Sequence, residues 1–129
     1  YILIHFIKPI LILTIVLIDN DSISTLATEK LIFRNVNESC QLFKYESAKK
    51  AVCEIYSIEV NYLLLDLNMP EMTGWNFLDI FKPENIRLGV YILSSSADER
   101  DITKAGSYSI VKRYHSKPLI KSYVKTLFN

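Results

Sequence analysis

Four polar groups stand out because each follows a short strand-like run. Asp66 closes Leu63-Leu64-Leu65 and precedes Leu67-Asn68-Met69-Pro70-Glu71-Met72-Thr73-Gly74. The run is too short for a globular helix and long enough for a buried strand. Pro70 and Gly74 stop it from continuing. A strand buried on both faces excludes charge, so a carboxylate at its last residue belongs at the rim of the sheet. In open parallel sheets the rim outside the carboxyl ends of the strands is where ligands bind. Alone, Asp66 reads equally well as an Asp capping the next turn. Three other groups occupy the same kind of place. Asp19-Asn20-Asp21 end the apolar run 13–18, Ser94 follows the run 88–93, and Lys117 follows a fifth run, 109–114.

If these runs are neighbouring strands, carboxylates, a hydroxyl and an ammonium meet in one small area. Two carboxylates a few ångströms apart repel by roughly 4 kcal/mol at an effective dielectric near 20. A divalent, oxygen-seeking cation relieves that repulsion. Mg²⁺ fits, because it is held by one or two carboxylates together with water and phosphate oxygens. With the metal, Ser94 and Lys117 neutralising phosphoryl oxygens, Asp66 is left as a nucleophile that forms an aspartyl phosphate.

The elements that must position these groups alternate. Residues 13–18 are rich in β-branched side chains and read as a buried parallel strand. Asp21 or Ser22 caps a helix to about Phe33, with Ile23, Leu26, Ala27 and Leu31 as its apolar face. Residues 40–45 form a weakly patterned second strand. A second helix opens at Glu46-Ser47 and runs to about Ser57, with Ala48, Ala51, Val52 and Ile55 inward. The third strand is 61–66. A third helix runs from Gly74 to about Phe81 with Trp75, Leu78 and Phe81 on one side. The fourth strand is 88–93, and a short helix over 98–106 turns Ile102 and Ala105 inward. The fifth strand, 109–114, is amphipathic and belongs at an edge. Pro118 suits the first turn of a last helix, with Leu119, Ile120, Tyr123, Val124 and Leu127 as apolar positions. Five strand–helix alternations predict a parallel sheet with helices on both faces.

The bulk properties agree with one such domain. Half of the 129 residues are hydrophobic, which supplies a core and excludes disorder. A net charge of +1, with no basic stripe interleaved with aromatics, makes no case for nucleic acid. Cys40 and Cys53 lack metal-ligand spacing and read as reduced thiols of a cytoplasmic protein. No Gly-rich phosphate loop or dinucleotide fingerprint is present. Residues 1–12 are apolar except at His5 and Lys8-Pro9. They lack the basic start and cleavage site of a signal peptide, and are read as an appendage to a domain over 13–129.

The set Asp19-Asn20, Leu-Leu-Leu-Asp66-Leu-Asn68-Met69-Pro70 with Gly74, Ser94-Ser95 and Lys117-Pro118 resembles the receiver domain of two-component response regulators. The resemblance runs from about Ile15 to Leu127. It implies a flavodoxin-like, doubly wound (βα)5 fold whose five-stranded parallel sheet has the order 2-1-3-4-5, an order borrowed from such folds. It implies Asp66 as phosphoacceptor and Asp19 as an acid holding Mg²⁺ through water. Asn68 would ligate the metal by its backbone carbonyl. Ser94 would follow the phosphoryl group, Lys117 would pair with it across a cis Lys117-Pro118 junction, and Tyr114 would stand at an aromatic switch position. Tyr114 reads equally as a half-buried edge-strand tyrosine. The implied partners are a sensor histidine kinase or histidine phosphotransfer protein and a downstream protein on the last strand–helix face, with a homodimer also compatible. With nothing after the last helix, a stand-alone receiver is expected.

One position departs from the family. It usually has two acids where this chain has Asp19-Asn20, the second being the direct metal ligand. Asn20 keeps an oxygen and loses a charge, which predicts weaker Mg²⁺ binding or slower phosphorylation than in a standard site. Two other readings follow from the same residues. One is a receiver-like binding module that takes no phosphate, supported by Asn20 alone. The other is a haloacid-dehalogenase-like phosphatase, in which Ile-Val-Leu-Ile-Asp19-Asn20-Asp21-Ser22 supplies Asp19 as nucleophile and Asp21 as acid/base. That version leaves Asp66 and Asn68-Met69-Pro70 unexplained.

Overall fold

The computed structural model describes residues 12–84 and 88–129. The expectation for residues 1–12 therefore lies outside the described residues, except at Ile12. The elements alternate as β1 (Leu13–Ile18), α1 (Ser22–Asn35), β2 (Cys40–Tyr45), α2 (Ala48–Glu54), β3 (Tyr62–Leu65), α3 (Gly74–Ile80), β4 (Gly89–Ser94), α4 (Glu99–Gly106), β5 (Val111–Ser116) and α5 (Lys121–Phe128). A 3-10 turn, Ile55–Ser57, extends α2. All strand pairs are parallel and the order is β2-β1-β3-β4-β5.

Side-chain alternation along the central strands builds two cores. Val16 and Ile18 of β1 and Leu63 and Leu65 of β3 face α2, α3 and α4, where Ala51, Ile55, Phe77 and Ala105 close over them. Ile15, Leu17 and Leu64 point the other way, onto Ile32 of α1 and Val124 and Phe128 of α5. This is the two-sided burial that makes β1 and β3 read as continuous apolar runs.

The helix caps follow the local chemistry. The Asp21 carboxylate accepts from the backbone N–H groups of Ile23 and Ser24 at the start of α1. Ser47 caps α2, and Thr73 with Asn76 forms a capping box on α3. These side chains satisfy amide groups that a helix start leaves open.

Several expected details are corrected. Ile23 is 80% exposed and Leu26 51% exposed, while Thr28 and Ile32 are buried. The apolar residues of α1 surround the helix, so spacing could not choose its inward face; packing against α5 chose it. Ile102 and Ile120 are also exposed. On α3 and its C-cap, Leu78 and Phe81 are buried as expected, Phe77 is buried with them, and Trp75 is only half-buried. β5 begins at Val111, two residues later than expected, after a turn in which Val111 N–H donates to Tyr108 O. Pro118 precedes α5 instead of opening it: Ile120 is the cap and the helix starts at Lys121. Lys117-Pro118 is cis.

Candidate functional site

Asp19 and Asp66 are brought together by register. Ile18 of β1 pairs with Leu65 of β3, and Asp66 N–H donates to Ile18 O at 2.9 Å. The next residue of each chain segment therefore leaves the sheet at the same rim. Both acids are buried, at 2% and 5% exposure. Lys117 reaches them from the end of β5. Its Nζ lies 2.8 Å from Asp19 Oδ2 and 3.5 Å from Asp66 Oδ2. Its backbone N–H donates to Ser94 O at 2.7 Å, which ties the ends of β4 and β5.

The second oxygens of the two acids are held by backbone. Asp19 Oδ1 accepts from Asp21 N–H at 2.9 Å, and Asp66 Oδ1 accepts a longer bond from Asn68 N–H at 3.3 Å. Burial pushes the Asp66 carboxyl above its ordinary range; the Lys117 ammonium opposes this, and the Asp19 charge adds to it. Two buried carboxylates share one ammonium, so the cluster carries uncompensated negative charge.

The loop after β3 is shaped to present Asp66. Glu71 has φ 64, and Met72 N–H donates back to Pro70 O at 2.8 Å, a tight γ-type turn in the left-handed region. The loop then folds back, with Gly74 N–H donating to Leu67 O. A Cβ on Gly74 would collide with the Asp66 carbonyl and lie 2.8 Å from Leu67 Cα. Only glycine lets α3 start this close to the Asp66 backbone.

Ser94 is completely buried at the end of β4, and its Oγ accepts from Ser96 N–H at 3.1 Å. The Ser96 carbonyl in turn accepts from the Tyr114 hydroxyl at 2.8 Å. Ser96 is thus the bridge between Ser94 and Tyr114. Nothing in the residue types around Ser96 signals that role; it arises because β4 and β5 are neighbours. Its own hydroxyl donates to Asp101 Oδ2 at 2.7 Å, which fixes the loop to α4.

Asp19, Asp66, Ser94, Asn68 and Lys117 thus gather at one rim, with Tyr114 connected to it through Ser96. Asn20 is exposed. Asp21 spends its carboxylate on the α1 cap and is not available to the cluster. Among the described residues no group of three or more His, Cys, Asp or Glu side chains forms a cation cage. The side-chain ligands that converge are oxygens of two buried carboxylates, Asp19 and Asp66. That set suits a hard cation such as Mg²⁺, which keeps much of its own water, and not a soft one.

The family model described as "Response regulator receiver domain" matches residues 15–126. The chain belongs to this family. Its receiver fold is shared by a two-component response regulator from Cytophaga hutchinsonii, 27% identical with a TM-score of 0.79, covering 89% of this chain and 92% of that one. A response regulator receiver domain from Rhodospirillum rubrum is 26% identical with a TM-score of 0.72, covering 89% and 90%. A Treponema denticola protein-glutamate methylesterase/protein-glutamine glutaminase is 39% identical over 56 residues, which are 43% of this chain and 15% of that protein. This receiver therefore spans a small part of the methylesterase that it matches. Among the described residues no helix is long and apolar enough to cross a membrane.

Proposed function

We propose that this receiver accepts a phosphoryl group on Asp66 and converts that event into changed protein contacts. The observation that carries the reading is the Asp66 carboxylate at the end of β3, buried beside Asp19 and within reach of Lys117 Nζ. The donor is a phosphohistidine of a sensor kinase or phosphotransfer protein. An Asp66 oxygen attacks phosphorus, the P–N bond to imidazole breaks, and the imidazole leaves with its electron pair and takes up a proton. Mg²⁺, when bound, supplies positive charge against the phosphoryl oxygens. Asp19 and Asp66 would hold it with the Asn68 carbonyl and, more weakly, Asn20.

The chain's own residues do the rest. Lys117 is placed to follow negative charge as it moves from carboxylate to phosphoryl oxygen. Ser94 has a hydroxyl that can donate to that oxygen once the loop brings it round. Turning it releases Ser96 N–H, and through Ser96 O the Tyr114 hydroxyl. The event at Asp66 is thereby transmitted to β5 and to the partner face formed with α5. In this reading the domain signals by gaining and losing its own phosphoryl group, in the cytoplasm where a kinase partner would act.

Incubation with acetyl phosphate and Mg²⁺, followed by intact mass, tests the reading. We expect a gain of one phosphoryl group that disappears in Asp66→Asn and persists in Asn20→Asp. Wild-type protein that stays at its starting mass supports instead a receiver-like binding module, the reading favoured by Asn20 and by the engagement of Asp21 in the α1 cap. Turnover of a generic phosphate ester that survives Asp66→Asn and dies in Asp19→Asn would reinstate the dehalogenase-like phosphatase.

A further inference from the structure

The charge of the chain is unevenly distributed. Residues 103–129 hold six of the fifteen lysines and arginines and none of the fourteen aspartates and glutamates. Lys117 is committed to the carboxylate cluster, and Lys104 lies over the Trp75 ring. Lys112, Arg113, Lys121 and Lys125 are all exposed. None of the four forms an ion pair with a described residue. They sit on β5 and α5, and a groove of about 620 Å³ runs between those two elements.

The groove has the character of a binding surface. Lys112 and Arg113 line it from β5, the α5 cap Ile120 and Leu127 of α5 contribute apolar area, and no acidic residue lines it. His115 and Tyr123, which also line it, stack with ring centroids 4.1 Å apart. The Tyr123 hydroxyl is shielded from solvent and has no hydrogen-bond partner among the described residues. Among the described residues β5 pairs only with β4, and its outer edge beside the groove has no described strand partner.

We propose that the β5–α5 groove docks an acidic segment of a partner protein, glutamates or aspartates interspersed with leucine or phenylalanine. Unpaired cations at the rim would steer and register the acids, and the aromatic and aliphatic lining would take the apolar anchors. A nucleic acid fits less well. Its affinity rests on many phosphate contacts along a basic track, and here the positive charge is confined to one edge of a chain whose other residues are net acidic. The inference names the partner chemistry of the output face proposed above. It rests on that reading for its link to Asp66; the charge of the groove stands without it.

The test uses the full chain, unphosphorylated, and three fluorescent probes: a peptide alternating glutamate with leucine and phenylalanine, its glutamine counterpart, and a single-stranded oligonucleotide. We expect the glutamate peptide to bind at least about tenfold better than the glutamine one at low salt, and to weaken as salt rises. Lys112→Glu with Arg113→Glu should remove that preference, and the milder Arg113→Gln should reduce it. Lys49→Glu with Lys50→Glu on α2 should leave it intact. Equal binding of the two peptides overturns the proposal, as does equal loss in both charge-reversal pairs. An oligonucleotide that binds tighter than the glutamate peptide assigns the face to nucleic acid instead. A concentration-dependent dimer lost in Arg113→Gln assigns it to a second copy. The mass gain with acetyl phosphate, measured on the same variants, reports separately on Asp66 and on folding.

Discussion

The Lys117 ammonium lies 3.5 Å from the Asp66 carboxylate, while its shorter contact, 2.8 Å, goes to Asp19. Asp66 is thus the less compensated of two buried acids. Its carboxyl is raised by burial, with Lys117 only partly offsetting the effect. A raised acid favours the protonated folded state, so the ionised form weakens folding. The penalty is absent below the ordinary carboxylate range, grows as pH rises from there, and is complete only above the raised value. Asp66→Asn should therefore be more stable than wild type at pH 7 without Mg²⁺, by on the order of 1 kcal/mol. Urea unfolding at several pH values checks this; the difference should close in acid.

Gly74 is the position where the site depends on an absent side chain. A Cβ there meets backbone at both Asp66 and Leu67, and neither can move without shifting the acceptor loop. Gly74→Ala should lose about 2 kcal/mol of stability or more, within the range seen for overpacking. Phosphoryl uptake should fall with it, measured by intact mass under conditions where the variant remains folded. Gly106 is a useful contrast, since a Cβ there meets nothing within 4 Å.

The Tyr114–Ser96 hydrogen bond makes a distinct prediction. Tyr114→Phe removes one donor to a part-buried carbonyl that also lies 3.4 Å from the Ser116 hydroxyl. The expected loss is about 1 kcal/mol of stability. Uptake at Asp66 should be unaffected, because the Tyr114 hydroxyl bonds to the Ser96 carbonyl and is not part of the Asp19–Asp66–Lys117 hydrogen-bond cluster. Its effect should appear in partner affinity, as a smaller difference between phosphorylated and unphosphorylated protein in peptide binding at the β5–α5 face.

These residues also mark what sequence reasoning can reach. Asp19, Asp66, Ser94 and Lys117 were legible because each follows a strand-like run, and a parallel sheet delivers all strand ends to one rim. Their mutual distances were not legible, since the bridging of both acids by Lys117 depends on strand order and on the turn into Pro118. Ser96 escaped notice because its function is to offer a backbone carbonyl, which any residue type can do. The inward face of α1 was misread for a related reason. Apolar residues lie all round that helix, and only the position of α5 decides that Ile32 goes in and Ile23 stays out.

A clasp on the α3–α4 side gives a pH prediction. Tyr108 stacks on Trp75, and its hydroxyl donates to Asp79 Oδ1 at 2.7 Å. That hydrogen bond is the chief cause of the raised Tyr108 ionisation, with burial second. The phenol donates only while protonated, so its contribution is present below the ordinary tyrosine value of about 10 and is lost as pH rises through the raised one. Tyr108→Phe should be less stable than wild type by a constant amount across neutral pH, and the gap should shrink only in strong alkali. Trp75, the single tryptophan of the chain, gives the fluorescence signal to follow unfolding.

Asn20 offers the most direct test of the metal site. It follows Asp19 at the rim and is exposed, while Asp21 is turned into the α1 cap through bonds to Ile23 and Ser24. Asp21 is therefore not free to replace the charge that Asn20 lacks. If Mg²⁺ binds between Asp19 and Asp66, Asn20→Asp adds a third carboxylate at the mouth of the same cluster and strengthens attraction for the ion. Calorimetric titration should give at least about tenfold tighter Mg²⁺ binding, in line with a charge pair worth a few kcal/mol at an intermediate dielectric and partly screened at the surface. In the metal-free protein the same substitution adds repulsion and should lower stability, so the two effects have opposite signs. Equal Mg²⁺ affinity for the two proteins would place the ion away from Asn20 and break this link between sequence departure and metal strength.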